Sequence, residues 1–369
     1  MQKVDAVAGK KEVIELLEKY LEEVRDAPDV HFGGVFYVCS DKRFSADYAG
    51  DLKGFFGGFY ALDHLMQRMR RMTNIDPVEN VSEGPANKFV YDMIDDPICH
   101  DFLIWLVTAK MIMRREGAKP PLKIAFARKY EMKEREQNFF KNVMLPALDM
   151  FGAVHDHVAF EGRRLPVFTP RLLVEASRSG EEVPRVMVSL DAVDAVRNRF
   201  GDVAPVVITL REETIYDHRN SNLDAWCQFG SWLEARGERV VFLRDTAKAK
   251  EWLISHWSML HETMWEASVS AYVRVALYEN AKCNMFVSNG PLGWALLGTK
   301  PFLAFHTVTE SESSECNTPA WWIRNHGIGP GEQYPWSSPQ QRIVYADDSF
   351  ENLCAAWLDL FPDSKECAA

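Results

Sequence analysis

GDVAPVVITL, residues 201–210, is the stretch on which the fold turns. Gly201, Asp202 and Pro205 interrupt the preceding pattern, and a β-branched apolar run follows at once. A short run with no polar alternation belongs to a strand covered on both faces, as in a parallel sheet. The pattern recurs downstream as RVVFL (239–243), NMFVS (284–288), PFLAFH (301–306) and RIVYA (342–346). Helical spacing fills the gaps. Ser221, with Asp224 three residues on, reads as the cap of a helix whose inner stripe is Leu223, Trp226, Cys227, Gly230 and Leu233, closed by Gly237. A helical region covers about 247–281, and a short helix starts at Pro291. Ser349 caps a last helix, which Pro362 stops. Strands alternating with helices predict a Rossmann-like layered sandwich over 201–369.

Upstream the signal is less regular. Residues 11–26 carry an amphipathic helix, GGVFYVCS (33–40) a β-type run, and GDLKGFFGG (50–58) a glycine-rich turn leading into a helix over about 59–72. DFLIWLVTAKMIMRR reads as a buried helix over 100–115, LKIAFA (122–127) as a buried strand, and about 133–151 as a charged helix. LLVEAS reads as a strand and LDAVDAVRNRF as a helix. The expected organisation is an N-terminal α/β domain over 1–200 and the Rossmann-like domain over 201–369. A chain of 369 residues fits two domains, since single cores rarely grow past ~250–300 residues.

Composition narrows the function. With 42 basic and 53 acidic side chains the net charge is −11, which argues against nucleic acid or an anionic membrane as principal partner. The seven cysteines include no CxxC pair, and the N-terminus has no apolar leader, so a cytoplasmic protein with reduced thiols is expected. GxSxG, GxxxxGK[ST], HExxH and a strict GxGxxG are all lacking.

Parallel sheets bind ligands at the carboxyl ends of their strands, so the loops there hold the candidates. In SNGPL (288–292), Ser288, Asn289, Gly290, Pro291 and Leu292 present a tight turn and a helix start suited to phosphate. After the first strand come Arg211, Arg219 and Asn220, arginines fit for a diphosphate or, equally, for pairing with Glu212, Glu213 and Asp217. Arg244 and Asp245 close the second strand, Asp245 serving a ribose hydroxyl or a helix N-cap. Upstream, Asp63 and His64 follow Gly57-Gly58, and Asp156 lies in HDH (155–157). His155 and His157 share one side of that segment, but no third metal ligand stands at a suitable spacing.

These residues resemble a family. A C-terminal half whose late unit reads strand–SNGP–helix–KPFLAF, with LREETIYDHRNSN followed by VVFLRD, is similar to the donor-binding domain of GT-B glycosyltransferases, in particular heptosyltransferase-type and fucosyltransferase-type enzymes and bacterial glycosyltransferases of this broad class. The resemblance covers about 201–369 and implies two Rossmann-like domains facing across a cleft. It also implies a nucleotide-diphosphate sugar as donor substrate, a glycan or other hydroxyl acceptor, and neither cofactor nor obligatory metal. Gly290, Pro291 and Leu292 match the phosphate-facing helix start, and Arg211 a phosphate contact. Leu292-Gly293 stands where heptosyltransferase-like enzymes tend to have Met-His, which leaves the sugar open. The catalytic base is open among Asp63, His64 and Asp156. The alternatives are a sugar-nucleotide epimerase or hydrolase of the same fold, or an inactive nucleotide- or glycan-binding protein.

Overall fold

The computed structural model describes residues 85–93, 98–127, 132–156, 162–165, 170–213, 217–253, 260–305, 308 and 317–362. The readings made for 11–26, 33–40, 50–58 and 59–72 lie outside the described residues. The protein is α/β, with parallel sheets of three and five strands. Contacts divide the chain into two compact units, one made of 1–97, 124–137 and 156–167, the other of 98–123, 138–155 and 168–369.

The smaller sheet has the order β1-β2-β3, with β1 Lys88–Asp92, β2 Leu122–Ala127 and β3 Ala153–Asp156. Helix α1 (Asp101–Arg115) follows β1 in the chain and buries Phe102, Leu103, Trp105, Leu106, Val107 and Ala109. The charged segment before β3 is helical throughout: α2 (Glu134–Phe139), a π turn (Phe140–Met144) and α3 (Leu145–Met150). LLVEAS is a correction to the sequence reading, since it lies within a helix, α4 (Pro170–Arg178). Pro170 stands at the first helical position, Leu173 and Val174 follow at helical spacing, and Arg171 pairs with Glu175 at 2.8 Å one turn on. Between α4 and α5 (Leu190–Phe200) the chain runs without regular structure but is tied down. The Val186 and Met187 N–H groups donate to the carbonyls of Leu297 and Met150, both at 2.9 Å. Arg185 donates to the carbonyls of Leu296 (3.3 Å), Gly298 (2.9 Å) and Trp336 (2.5 Å). Gly201, at φ 65°, ends α5.

The larger sheet is built from β4 (Val206–Thr209), β5 (Val240–Leu243), β6 (Cys283–Val287), β7 (Phe302–Phe305) and β8 (Gln341–Ile343), in the order β5-β4-β6-β7-β8. All its pairings are parallel, with Val206 opposite Val240 on one side and Cys283 on the other. Strands β4 to β7 are buried at every residue, which is why they read as largely apolar runs without polar alternation. Val206 and Ile208 face a core shared with α6 (Leu223–Glu234) and, near the C-terminus, α11 (Phe350–Leu360). There Trp226 meets Phe305 edge-on at 5.8 Å and Phe229 meets Trp357 at 6.3 Å. Each such buried side chain contributes on the order of 1.5–3 kcal/mol. The alternate residue Thr209 turns to the other face, where its Oγ1 meets the Tyr278 hydroxyl of α8 (Ala271–Asn280) at 2.8 Å.

Two more expectations are corrected. Residues 247–281 are not one helix: a 3₁₀ turn at Thr246–Lys248 and a short α7 (Trp265–Val269) precede α8. Just before α7, residues 262–264 lie along β5, since the Phe242 N–H donates to Glu262 at 2.8 Å and Met264 returns a bond to Phe242 at 3.2 Å. That pairing covers the sheet edge and excludes helix. The cap of α6 is Asn222, whose Oδ1 accepts from the Ala225 N–H at 3.3 Å; Ser221 is engaged elsewhere. Ser349 caps α11 as expected, accepting from the Asn352 N–H at 3.4 Å. The remaining helices are α9 (Leu292–Leu296) and α10 (Pro319–His326). Among the described residues no helix is long and apolar enough to cross a membrane.

Candidate functional site

Renumbered in chain order, β5-β4-β6-β7-β8 is 2-1-3-4-5. The connections reverse direction between β4 and β6, and the crevice beyond their carboxyl ends is where such sheets bind ligands. The candidate residues gather around that point.

At the end of β4, the loop from Arg211 to Ser221 is closed at its neck. The Arg211 N–H donates to Ser221 Oγ at 2.9 Å, and the Ser221 N–H returns a bond to the Arg211 carbonyl at 3.0 Å. Asn220 secures the next rung, accepting from the Glu213 N–H at 3.0 Å and donating to the Glu213 carbonyl at 2.7 Å. Asn220 therefore shapes the loop that carries Arg211 and Arg219. Arg219 crosses to the end of β6, where its Nη2 donates to the Ser288 carbonyl at 3.1 Å and lies 3.4 Å from Ser288 Oγ. Asn317, in left-handed backbone at φ 66°, turns its amide oxygen to Arg219 Nε, Arg219 Nη2 and Ser288 Oγ, each at 3.2 Å. One guanidinium, one serine and one asparagine thus sit together at the switch point.

The SNGPL turn is bonded both within itself and to the end of β4. Asn289 Nδ2 donates to the Thr209 carbonyl at 3.4 Å, joining the ends of β4 and β6. Its Oδ1 accepts from the Leu292 N–H at 3.2 Å. The N–H groups of Gly293 and Trp294 bond back to Gly290 and Pro291 at 3.0 and 3.1 Å. The helix that follows has only five residues, Leu292–Leu296. Its first-turn amides are bonded within the turn, which positions Ser288 and Asn289.

Arg244 and Asp245 belong to the wall of the site. Arg244 makes a forked pair with Glu212, Nε to Oε2 at 2.9 Å and Nη2 to Oε1 at 2.5 Å, with both side chains buried. It also donates to the Trp252 carbonyl at 3.1 Å. Asp245 accepts from the Glu212 N–H, and burial raises its carboxyl above the usual carboxylate range. The two residues clasp the β4 loop to the end of β5. Sequence reading could not separate this from ribose or phosphate contact, because either use calls for the same residue types at a strand end.

Of the three candidate bases, Asp63 and His64 lie outside the described residues. Asp156 ends β3 and pairs with Lys88 at 3.3 Å. His157 lies outside the described residues, and His155 packs edge-on against Phe140 at 6.4 Å. Among the described residues no three His, Cys, Asp or Glu side chains gather as a metal-binding set.

The site includes two residues the sequence reading passed over, His100 and Asp101 at the start of α1. His100 lies against Gly290, so close that a Cβ there would stand 2.5 Å from its Nδ1. Burial, aided by the Arg274 guanidinium, lowers its imidazole to about 3, so it is neutral at pH 7. Burial also raises the Asp101 carboxyl, against the opposing pull of the Cys99 thiol, which donates to it at 3.2 Å, and of Arg219. The available signal was the polar triplet Cys99-His100-Asp101 at the entry to an apolar segment, where His100 and Asp101 read only as part of the buried helix over 100–115. Comparison with protein-family models, with curated proteins and with solved structures returns no match to this chain.

Proposed function

We propose that the protein is a glycosyltransferase of the GT-B type its sequence resembles, transferring a sugar from a nucleotide-diphosphate sugar to a hydroxyl acceptor. The observation that carries this reading is the gathering of Arg219, Ser288, Asn289 and Asn317 at the β4–β6 switch point, with Arg211 on the same loop as Arg219. In the proposed reaction the acceptor oxygen attacks the anomeric carbon. The bond from that carbon to the diphosphate breaks with its electron pair leaving on the diphosphate. Arginine side chains are the groups that stabilise this developing charge, since they fork onto phosphate oxygens and are always ionised. Asp101 is the carboxylate best suited to take the acceptor proton. It stands at the start of α1 within electrostatic reach of Arg219, and burial raises its carboxyl, which favours proton uptake.

The test is a thermal-shift screen with GDP, UDP, ADP and CMP, since a ligand bound only by the folded state stabilises it by mass action. One nucleotide diphosphate is expected to raise Tm by several degrees, and Arg219→Ala to remove most of that shift. Incubation with nucleotide sugars, with and without hydroxyl acceptors, then separates transfer from donor hydrolysis. No shift with any of the four nucleotides would end the proposal. Asp101→Asn is expected to lower kcat by about 100-fold or more, leaving nucleotide affinity near its original value.

A further inference from the structure

Arg274 lies in α8 and is 6% exposed. Its Nε donates to the Ala267 carbonyl at 2.7 Å and its Nη2 to the Ser268 carbonyl at 3.1 Å. Its Nη1 is buried and makes no hydrogen bond of ordinary geometry, and among the described residues no carboxylate pairs with the guanidinium. Ser268 Oγ, on the turn that Arg274 holds, is a second buried polar atom without a partner. A buried cation ordinarily has a counter-charge, because taking it out of water costs several kcal/mol. Here its neighbours are neutral, the Ala267 and Ser268 carbonyls and the Tyr278 hydroxyl.

Tyr278 is one helical turn beyond Arg274 on the same face, and its hydroxyl meets Thr209 Oγ1 at the end of β4. Asn289 bonds the Thr209 carbonyl from the end of β6. The Ser268 carbonyl also accepts from Thr246, just past β5, at 3.1 Å. Contacts therefore link Arg274 to the carboxyl ends of β4, β5 and β6. We propose that the Arg274 guanidinium, with Ser268 and Tyr278 beside it, is the docking group for a phosphoryl oxygen of the ligand held at the β4–β6 switch. This rests on reading that switch point as a phosphate site, and it assigns the deepest contact to Arg274 in place of the engaged amides of the SNGPL turn. A neutral His100 fits the same role, since it adds no competing positive charge and accepts close packing.

The full chain is titrated calorimetrically with inorganic phosphate and with pyrophosphate, alongside Arg274→Met and Arg274→Lys. Arg274→Met is expected to weaken binding by about tenfold or more, since it removes a charge-assisted bond. Equal phosphate affinity in the two proteins would overturn the proposal, as would absence of phosphate binding to the unaltered chain. If Arg274→Met does not fold, Arg274→Lys decides: it keeps the charge but loses the fork, and unchanged affinity would count against the assignment. The two readings fail separately. Nucleotide diphosphates that stabilise Arg274→Met as strongly as the unaltered protein would sink only the Arg274 assignment. Phosphate held through Arg274 without response to any nucleotide would sink only the glycosyltransferase reading.

Discussion

Gly290 carries no side chain because His100 occupies the space. A Cβ at 290 would lie 2.5 Å from the Nδ1 and 2.9 Å from the Cβ of His100. The second distance matters more, since a Cβ cannot swing aside as the end of a long side chain can. Gly290→Ala is therefore expected to cost about 1–3 kcal/mol, as overpacking does. Adding His100→Ala should recover part of that loss in urea unfolding; no recovery would mean the close approach is not the cause. The sequence showed Gly290 as a turn former and missed its second reason, because nothing local links position 290 to position 100. Arg219 and Ser288 were legible as candidates from their places at strand ends. Which arginine points at the switch point was not legible, because Glu212 could have paired with any of several neighbours and in fact takes Arg244.

At the level of elements, the strands were legible and several joints were not. Strands β4 to β7 announce themselves because both faces are buried and, apart from Thr209 and Asn284, every position is apolar. LLVEAS misled because a half-buried short helix and a strand use the same residues, and Pro170 gave the only local clue. Asp348 shows how an end can serve two elements. Ser349 caps α11, while the buried Asp348 carboxylate accepts from the Asn222 N–H at 2.8 Å and from Trp226 Nε1 at 2.7 Å, at the start of α6. It couples the two helices that share one face of the large sheet. Asp348→Ala leaves a buried amide and a buried indole N–H without an acceptor, and is expected to lower stability by about 1–3 kcal/mol in denaturant unfolding. A change within a few tenths of a kcal/mol would show that water replaces the carboxylate.

For the whole molecule, strand order was the part the sequence left open, since parallel neighbours are set by crossovers and not by turns. The pH response is also a property of the whole chain. His100 and His326 are both lowered to about 3 by burial, His326 stacked on Trp322 at 3.9 Å and bonded to the Tyr334 hydroxyl at 2.6 Å. A histidine lowered in the folded state adds stability that is complete above its ordinary value, near 6.5, and is lost as pH falls toward 3. Each contributes at most about 1.4 kcal/mol per pH unit over that window, less where solvent reaches the ring. Tm should fall on acidification from pH 6.5, and His326→Phe should flatten part of the slope. An unchanged slope would assign the acid sensitivity to other groups.

The irregular stretch through Arg185, Val186 and Met187 has a consequence for how the protein opens. Its amides are bonded to Leu297 and Met150, and Arg185 holds three carbonyls distant in sequence. Though it has no helix or strand of its own, it cannot loosen until those anchors do. In native-state hydrogen exchange the Val186 and Met187 amide protons should keep pace with the cooperative unit around α9, as slow as regular structure and unlike a surface loop.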